Sequence, residues 1–152
     1  MTLARVKTVT LVGLAGHSID VEVDISDGLP GYTLLGLPDA ALSESRDRVR
    51  SALINTGEIW PNKKVTVSLS PASLPKSGSS FDLPIAMGIL MAQNVLPNFD
   101  GEVFIGELGL DGAIRSVRGV LPSVLAAKKS GAHRVFVPAD NFSESQSVAG
   151  IE

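Results

Sequence analysis

Three serines, Ser77, Ser79 and Ser80, stand in a Pro/Gly/Ser stretch just ahead of the most apolar run of the chain, Leu83 to Val95. A hydroxyl presented at the start of a buried helix lies near unpaired backbone N–H groups, which is oxyanion-hole geometry. A serine nucleophile also needs a base, and no Ser-His-Asp set is evident, so that base would have to be a lysine. On the residues alone, the stronger reading of the same run is a polar loop without chemistry.

Basic residues are the second signal. Arg46, Arg48 and Arg50 fall on one helical stretch, Lys63-Lys64 in a loop, Arg115 and Arg118 after a hairpin, and Lys128-Lys129 at a helix end. Arg46 and Arg50 share a helix face and suit phosphate oxygens. The interleaved Glu44 and Asp47 suit a solvated, salt-bridged surface equally well, and both readings stay open. Lys128-Lys129 is accounted for by the helix dipole. Aromatic residues are 5% of the chain, and none sits among these clusters, which argues against readout by base stacking.

Other chemistries are excluded by what the chain lacks. No Gly-Lys dipeptide occurs, so there is no Walker A loop, and Gly28, Gly31 and Gly36 do not fit G-x-G-x-x-G. His17, in a turn, and His133, ahead of a strand, have no second ligand at helical spacing and read as ordinary polar residues. Asp20, Glu22 and Asp24 alternate on one strand face and read as solvated. The absence of cysteine removes disulfides, thiolate metal sites and Cys nucleophiles together. The net charge of −3 provides no global field for nucleic acid, so any basic site is local. Neither a metal nor a cofactor is expected here.

The elements that position these groups follow from period and punctuation. Arg5 to Leu14 and Ile19 to Ile25 alternate as half-buried antiparallel strands, with Gly13, Gly16, His17 and Ser18 forming their turn. Tyr32 to Leu37 and Val65 to Leu69 read as further strands. A helix runs from Pro38-Asp39 to about Asn55, with Leu42, Val49, Ala52 and Leu53 toward the core and Glu44 and Arg48 at i,i+4 spacing. A second helix, about Leu83 to Gln93, is apolar nearly all round and must be buried. Glu102 to Leu110 and Ala113 to Val117 form a hairpin about Asp111-Gly112. A third helix, Val120 to Ser130, is followed by a strand over Arg134 to Val137. This mixed order gives an α+β domain spanning residues 1–152. The last residues read like the opening of another strand, as if the chain were cut from a longer protein. The N-terminus turns polar too soon for a signal peptide, and Leu83 to Val95 is too short and too interrupted to span a bilayer. A cytoplasmic protein with no membrane partner is expected.

Gly28-Leu29-Pro30-Gly31, Gly36-Leu37-Pro38-Asp39 and the run from Glu44 to Leu53 closely resemble the ComM/YifB family of magnesium-chelatase-like proteins. So do Leu74-Pro75-Lys76, Phe81 to Ala86 and Val117 to Pro122, in order along the whole chain. The resemblance implies a Lon-protease-like domain with the ribosomal protein S5 domain 2-like fold. It further implies a hexameric AAA+ ATPase that binds ATP and Mg²⁺ in a separate domain and acts on single-stranded or branched DNA in branch migration during natural transformation. Pro75-Lys76-Ser77-Gly78-Ser79-Ser80 is similar to Lon's Pro-Lys-Asp-Gly-Pro-Ser, which puts Ser80 at the nucleophile position. Gly106-Glu107 through Leu121 is similar to the segment that ends in Lon's catalytic lysine, which puts Leu121 at that position. Lys76 corresponds to a non-catalytic lysine. Phe81-Asp82 replaces Lon's Ala-Gly and is expected to fill space where a substrate backbone would approach. The implied module binds or assembles and has no peptidase activity. Arg46, Arg48 and Arg50 lead as contacts to DNA or a neighbouring subunit, with Arg115 and Arg118 second.

Overall fold

The computed structural model describes residues 2–71, 78–99 and 101–152. Alternation of β-branched and polar residues builds the first hairpin. Strands β1 (Thr2–Val12) and β2 (Ala15–Ser26) pair antiparallel from Thr2↔Ile25 to Val12↔Ala15 and are joined by Gly13-Leu14 alone. Gly13 takes φ +65°, the positive value that such a tight hairpin turn requires. His17 therefore lies within β2, opposite Thr10, and not in the turn expected from sequence. On one face Ala4, Val6, Ile19, Val21, Val23 and Ile25 are buried. On the other, Arg5 meets Glu22 at 3.1 Å and Lys7 meets Asp20 at 3.9 Å, so this acidic face is a salt-bridged surface.

Strand β4 (Lys64–Ser70) adds antiparallel to β2, and β3 (Gly31–Leu35) adds parallel to β4 at the sheet edge. On the other side β5 (Val103–Phe104) runs parallel to β1, and β8 (Val135–Phe136) runs parallel to β5. The result is a six-stranded mixed sheet in the order β3-β4-β2-β1-β5-β8. The single strand expected over Glu102 to Leu110 is two pieces. After β5 the chain bends at Ile105-Gly106, and β6 (Glu107–Leu108) pairs with β7 (Ile114–Arg115) in a separate ribbon. A side chain at Gly106 would meet Ile114 Cγ2 at 2.7 Å and Leu83 Cδ2 at 3.1 Å, so this bend has room only for glycine.

Helices α1 (Asp39–Asn55) and α2 (Asp82–Ala92) cover one face of the sheet, and α3 (Val120–Lys129) lies near the β1–β2 turn against Val9 and Gly16. Val49, Ala52 and Leu53 of α1 are buried as their spacing demands, and α2 is buried along nearly its whole length. The main core fills the space between the sheet and α1/α2; a smaller one joins Val103, Ile105, Val120, Val124, Ala127 and Val148. A short helix, α4 (Phe142–Ser145), packs on α3. Glu152 then exchanges backbone hydrogen bonds with Val135 and His133 at 2.7 and 2.8 Å, along β8. Among the described residues, no helix is long and apolar enough to cross a membrane.

Helix α2 lies so close to the sheet at Gly88 that a Cβ there would stand 2.5 Å from Val23 Cγ2 and 3.3 Å from Val23 Cβ. Gly88→Ala should therefore overpack the core and cost about 1–3 kcal/mol in urea unfolding. Val23→Ala in the same chain should give less than the sum of the two single losses, because the mutations share one contact.

Candidate functional site

Ser79 and Ser80 lie in the 3-10 turn Gly78–Phe81, which leads directly into α2. Both are exposed on the wall of a cleft of about 250 Å³, opposite Thr8 and Thr10 of β1 and alongside Glu107 and Arg118. The ionisable groups that share the cleft with Ser80 are thus one carboxylate and one guanidinium, among the described residues. Lys76 and Ser77, with the Leu74-Pro75-Lys76 motif, lie outside those residues. Leu121 is half-buried against the smaller core, and the cleft lining does not include it.

Phe81 and Asp82 correct an expectation. They do not project into the cleft; Phe81 is fully enclosed in the main core and Asp82 is 1% exposed, turned toward α1. Asp82 is the one charge at the head of an otherwise apolar helix, and burial forces it to find partners. Ser45 donates its hydroxyl to Asp82 Oδ1 at 2.9 Å. Arg48 grips the same carboxylate with two donors, Nε to Oδ2 and Nη2 to Oδ1, the latter at 3.3 Å. Glu44 approaches Arg48 from its outer side at 3.7 Å, in the i,i+4 pair read from the sequence. Desolvation pushes the Asp82 carboxyl above its ordinary range, and the hydrogen bonds from Arg48 and Ser45 pull it only part of the way back. Asp82 in turn holds the Arg48 guanidinium above its usual value. Ser45 spends its hydroxyl on Asp82, and Tyr32 Oη is left buried without a hydrogen bond among the described residues. Burial first, and then the Asp82 charge, raise that phenol well above the ordinary tyrosine value.

The five candidate arginines do not form one patch. Arg48 points inward to Asp82. Arg115 stands on the β6–β7 ribbon opposite Glu107, and Arg118 joins Ser80 in the cleft. Arg46 and Arg50, on the other side of α1, line a second groove with Tyr32, Asp47, Trp60 and Asn62. This corrects the expectation that no aromatic sits among the basic clusters. Trp60 is remote from them in sequence and reaches them because β3 and β4 pair beside α1. Its ring packs on Tyr32 with centroids 5.8 Å apart. Sequence reasoning gave Asp82 only a space-filling part, although a charge heading a buried helix signals a buried partner, and it passed over Ser45, Glu107 and Trp60, which carried no such signal.

A family model for the subunit ChlI of Mg-chelatase matches residues 21–141, most of the chain. The chain belongs to the ChlI family. An uncharacterised Mycobacterium tuberculosis protein is 51% identical over 154 residues, covering all of this chain and 31% of its own length. YifB of Escherichia coli is 47% identical over 146 residues, 95% of this chain and 29% of that protein. The competence protein ComM of Haemophilus influenzae is 47% identical over 132 residues, 86% of this chain and 26% of that protein. The chain thus spans about a third or less of the curated relatives it matches. A weaker likeness links this ChlI-family chain to Lon protease 2 of Bacillus subtilis, 35% identical over 71 residues. The resemblance to ComM, YifB and Lon carried by the motifs is met by these matches.

Two outcomes follow from the Asp82 cluster. Arg48→Ala strands a carboxylate that is 1% exposed and should cost about 3–5 kcal/mol in urea unfolding, whereas Arg50→Ala should stay within about 0.5 kcal/mol. The folded chain also binds the Asp82 proton more tightly than the unfolded chain does. This group's contribution to stability is therefore full below the ordinary aspartate pKa and is lost as pH rises through the higher folded value. Unfolding free energies followed from strongly to mildly acidic pH should show that downward component in the native chain and lack it in Asp82→Asn.

Proposed function

We propose that this chain is a Lon-like domain, with the ribosomal protein S5 domain 2-like fold, that lacks peptidase chemistry and serves a DNA-processing AAA+ ATPase. In this reading the whole protein is a cytoplasmic hexamer of the ComM kind. It holds ATP and Mg²⁺ in its AAA+ domain and migrates branches in single-stranded or branched DNA. The present domain holds no cofactor of its own and contributes DNA contact and ring assembly.

The observation that carries the non-catalytic half is Leu121. It stands where the resemblance to Lon puts a lysine, and its hydrocarbon side chain is turned to the smaller core. Leucine accepts no proton. Fluorescent casein incubated with this chain should show no turnover. Cleavage that disappears in Ser80→Ala would establish a residual peptidase and defeat this half.

The DNA-contact half is supported by Arg46 and Arg50, which present two guanidiniums on one outer helix face of a chain whose net charge is −3. Labelled single-stranded and branched DNA should bind weakly, with an affinity that falls with salt and drops further in Arg46→Ala/Arg50→Ala. Two phosphate contacts correspond to a log–log salt slope of roughly −1.4 on single strands. No binding at low salt and high protein concentration would sink DNA contact. Ring formation by sedimentation would then identify an assembly module.

A further inference from the structure

We infer that the groove between the β3 edge and α1 is a single-stranded DNA site, in which a base stacks on Trp60 while Arg46 and Arg50 hold the flanking phosphates. This rests on the DNA-contact reading above and names the surface that would deliver it. The groove measures about 330 Å³, the small end of the range for one compact ligand group and not the bed of a duplex. Single strands are the nucleic acid whose bases offer a free ring face, and aromatic stacking combined with a basic groove is how proteins hold them without reading sequence.

The ring is held in place before any ligand arrives. Trp60 packs on the Tyr32 ring at 5.8 Å, and Tyr32 is held on β3 by packing against the main core, with its hydroxyl buried. Pro61, buried directly after Trp60, restricts the backbone there. An aromatic platform that loses little freedom on binding gives more of its contact energy to the ligand. Trp60 is nonetheless only half-buried, and it lines the groove.

Charge points to the same occupant. The lining sets two guanidiniums against one carboxylate, Asp47. Arg46 bonds Asp47 at 3.1 Å, but both side chains are well exposed, at 40% and 69%, and so exposed a pair gives way readily to a phosphate. Arg50 pairs with nothing among the described residues. The cleft beside Ser80 offers no such combination: among the described residues its charged lining is Arg118 and Glu107, and no aromatic ring lines it.

Trp60 is the only tryptophan in the chain, so its fluorescence reports this groove alone. The native chain titrated with a twelve-residue oligothymidylate at low salt should lose Trp60 emission over the concentration range in which a labelled copy gains anisotropy. Trp60→Leu should weaken binding about tenfold, as should Arg50→Ala, whose exposed side chain makes no core contact and keeps the test open if Trp60→Leu folds poorly. Anisotropy that rises while Trp60 emission stays constant would overturn this site and leave DNA contact elsewhere on the domain intact. No anisotropy change at all would defeat the DNA-contact reading and this site with it. Quenching by a proline-rich peptide but not by the oligonucleotide would reassign the groove to a protein partner.

Discussion

A buried carboxylate organises one side of this domain. Asp82 begins a helix that is otherwise hydrocarbon, and in that position it cannot reach water. Its charge is tolerable only because α1 presents Ser45 and Arg48, three residues apart on one helix face, directly against it. The ion pair thereby fixes how α1 sits on α2. Because Asp82 immediately follows the 3-10 turn that carries Ser79 and Ser80, the same pair fixes where that turn leaves the core. Such a pair adds less net stability than hydrophobic residues of the same volume would, but one partner without the other is strongly unfavourable. It therefore acts as a registration device between two helices.

α1 divides its arginines by the helical period. Arg48 falls on the inner side with Ser45, and Arg46 and Arg50, two residues to either side, fall on the outer. Three arginines that look equivalent in the sequence thus do two different jobs. One neutralises a buried charge, and the other two are presented to solvent beside Trp60. Tyr32 connects the two sides, since its hydroxyl reaches the buried cluster and its ring supports Trp60.

The cleft at Ser80 gathers hydroxyls and two opposite charges at the entrance to the buried helix. Ser79 and Ser80 precede that helix, and Thr8 and Thr10 of β1 line the same cleft. Among the described residues Glu107 and Arg118 supply the charges, and Leu121 packs against the smaller core. The likeness to Lon protease 2, confined to 71 residues, is weaker than that to YifB and ComM.

The sequence by itself determined the order and type of most elements. Period-two alternation, the helical stripe over Val49, Ala52 and Leu53, and the turn at Asp111-Gly112 are local signals that the structure repeats. Its motifs also determined the family. Tertiary structure decided the rest, for reasons that are not local. The strand expected from Glu102 to Leu110 breaks because Gly106 meets Ile114 and Leu83, contacts invisible along the chain. His17 belongs to a strand because the turn needs only two residues. Whether an arginine is buried or presented depends on what faces its helix, and Asp82 is 34 residues from Arg48. Trp60 reaches Arg46 and Arg50 only through parallel pairing of β3 with β4, because sheet register brings together residues that no sequence spacing relates.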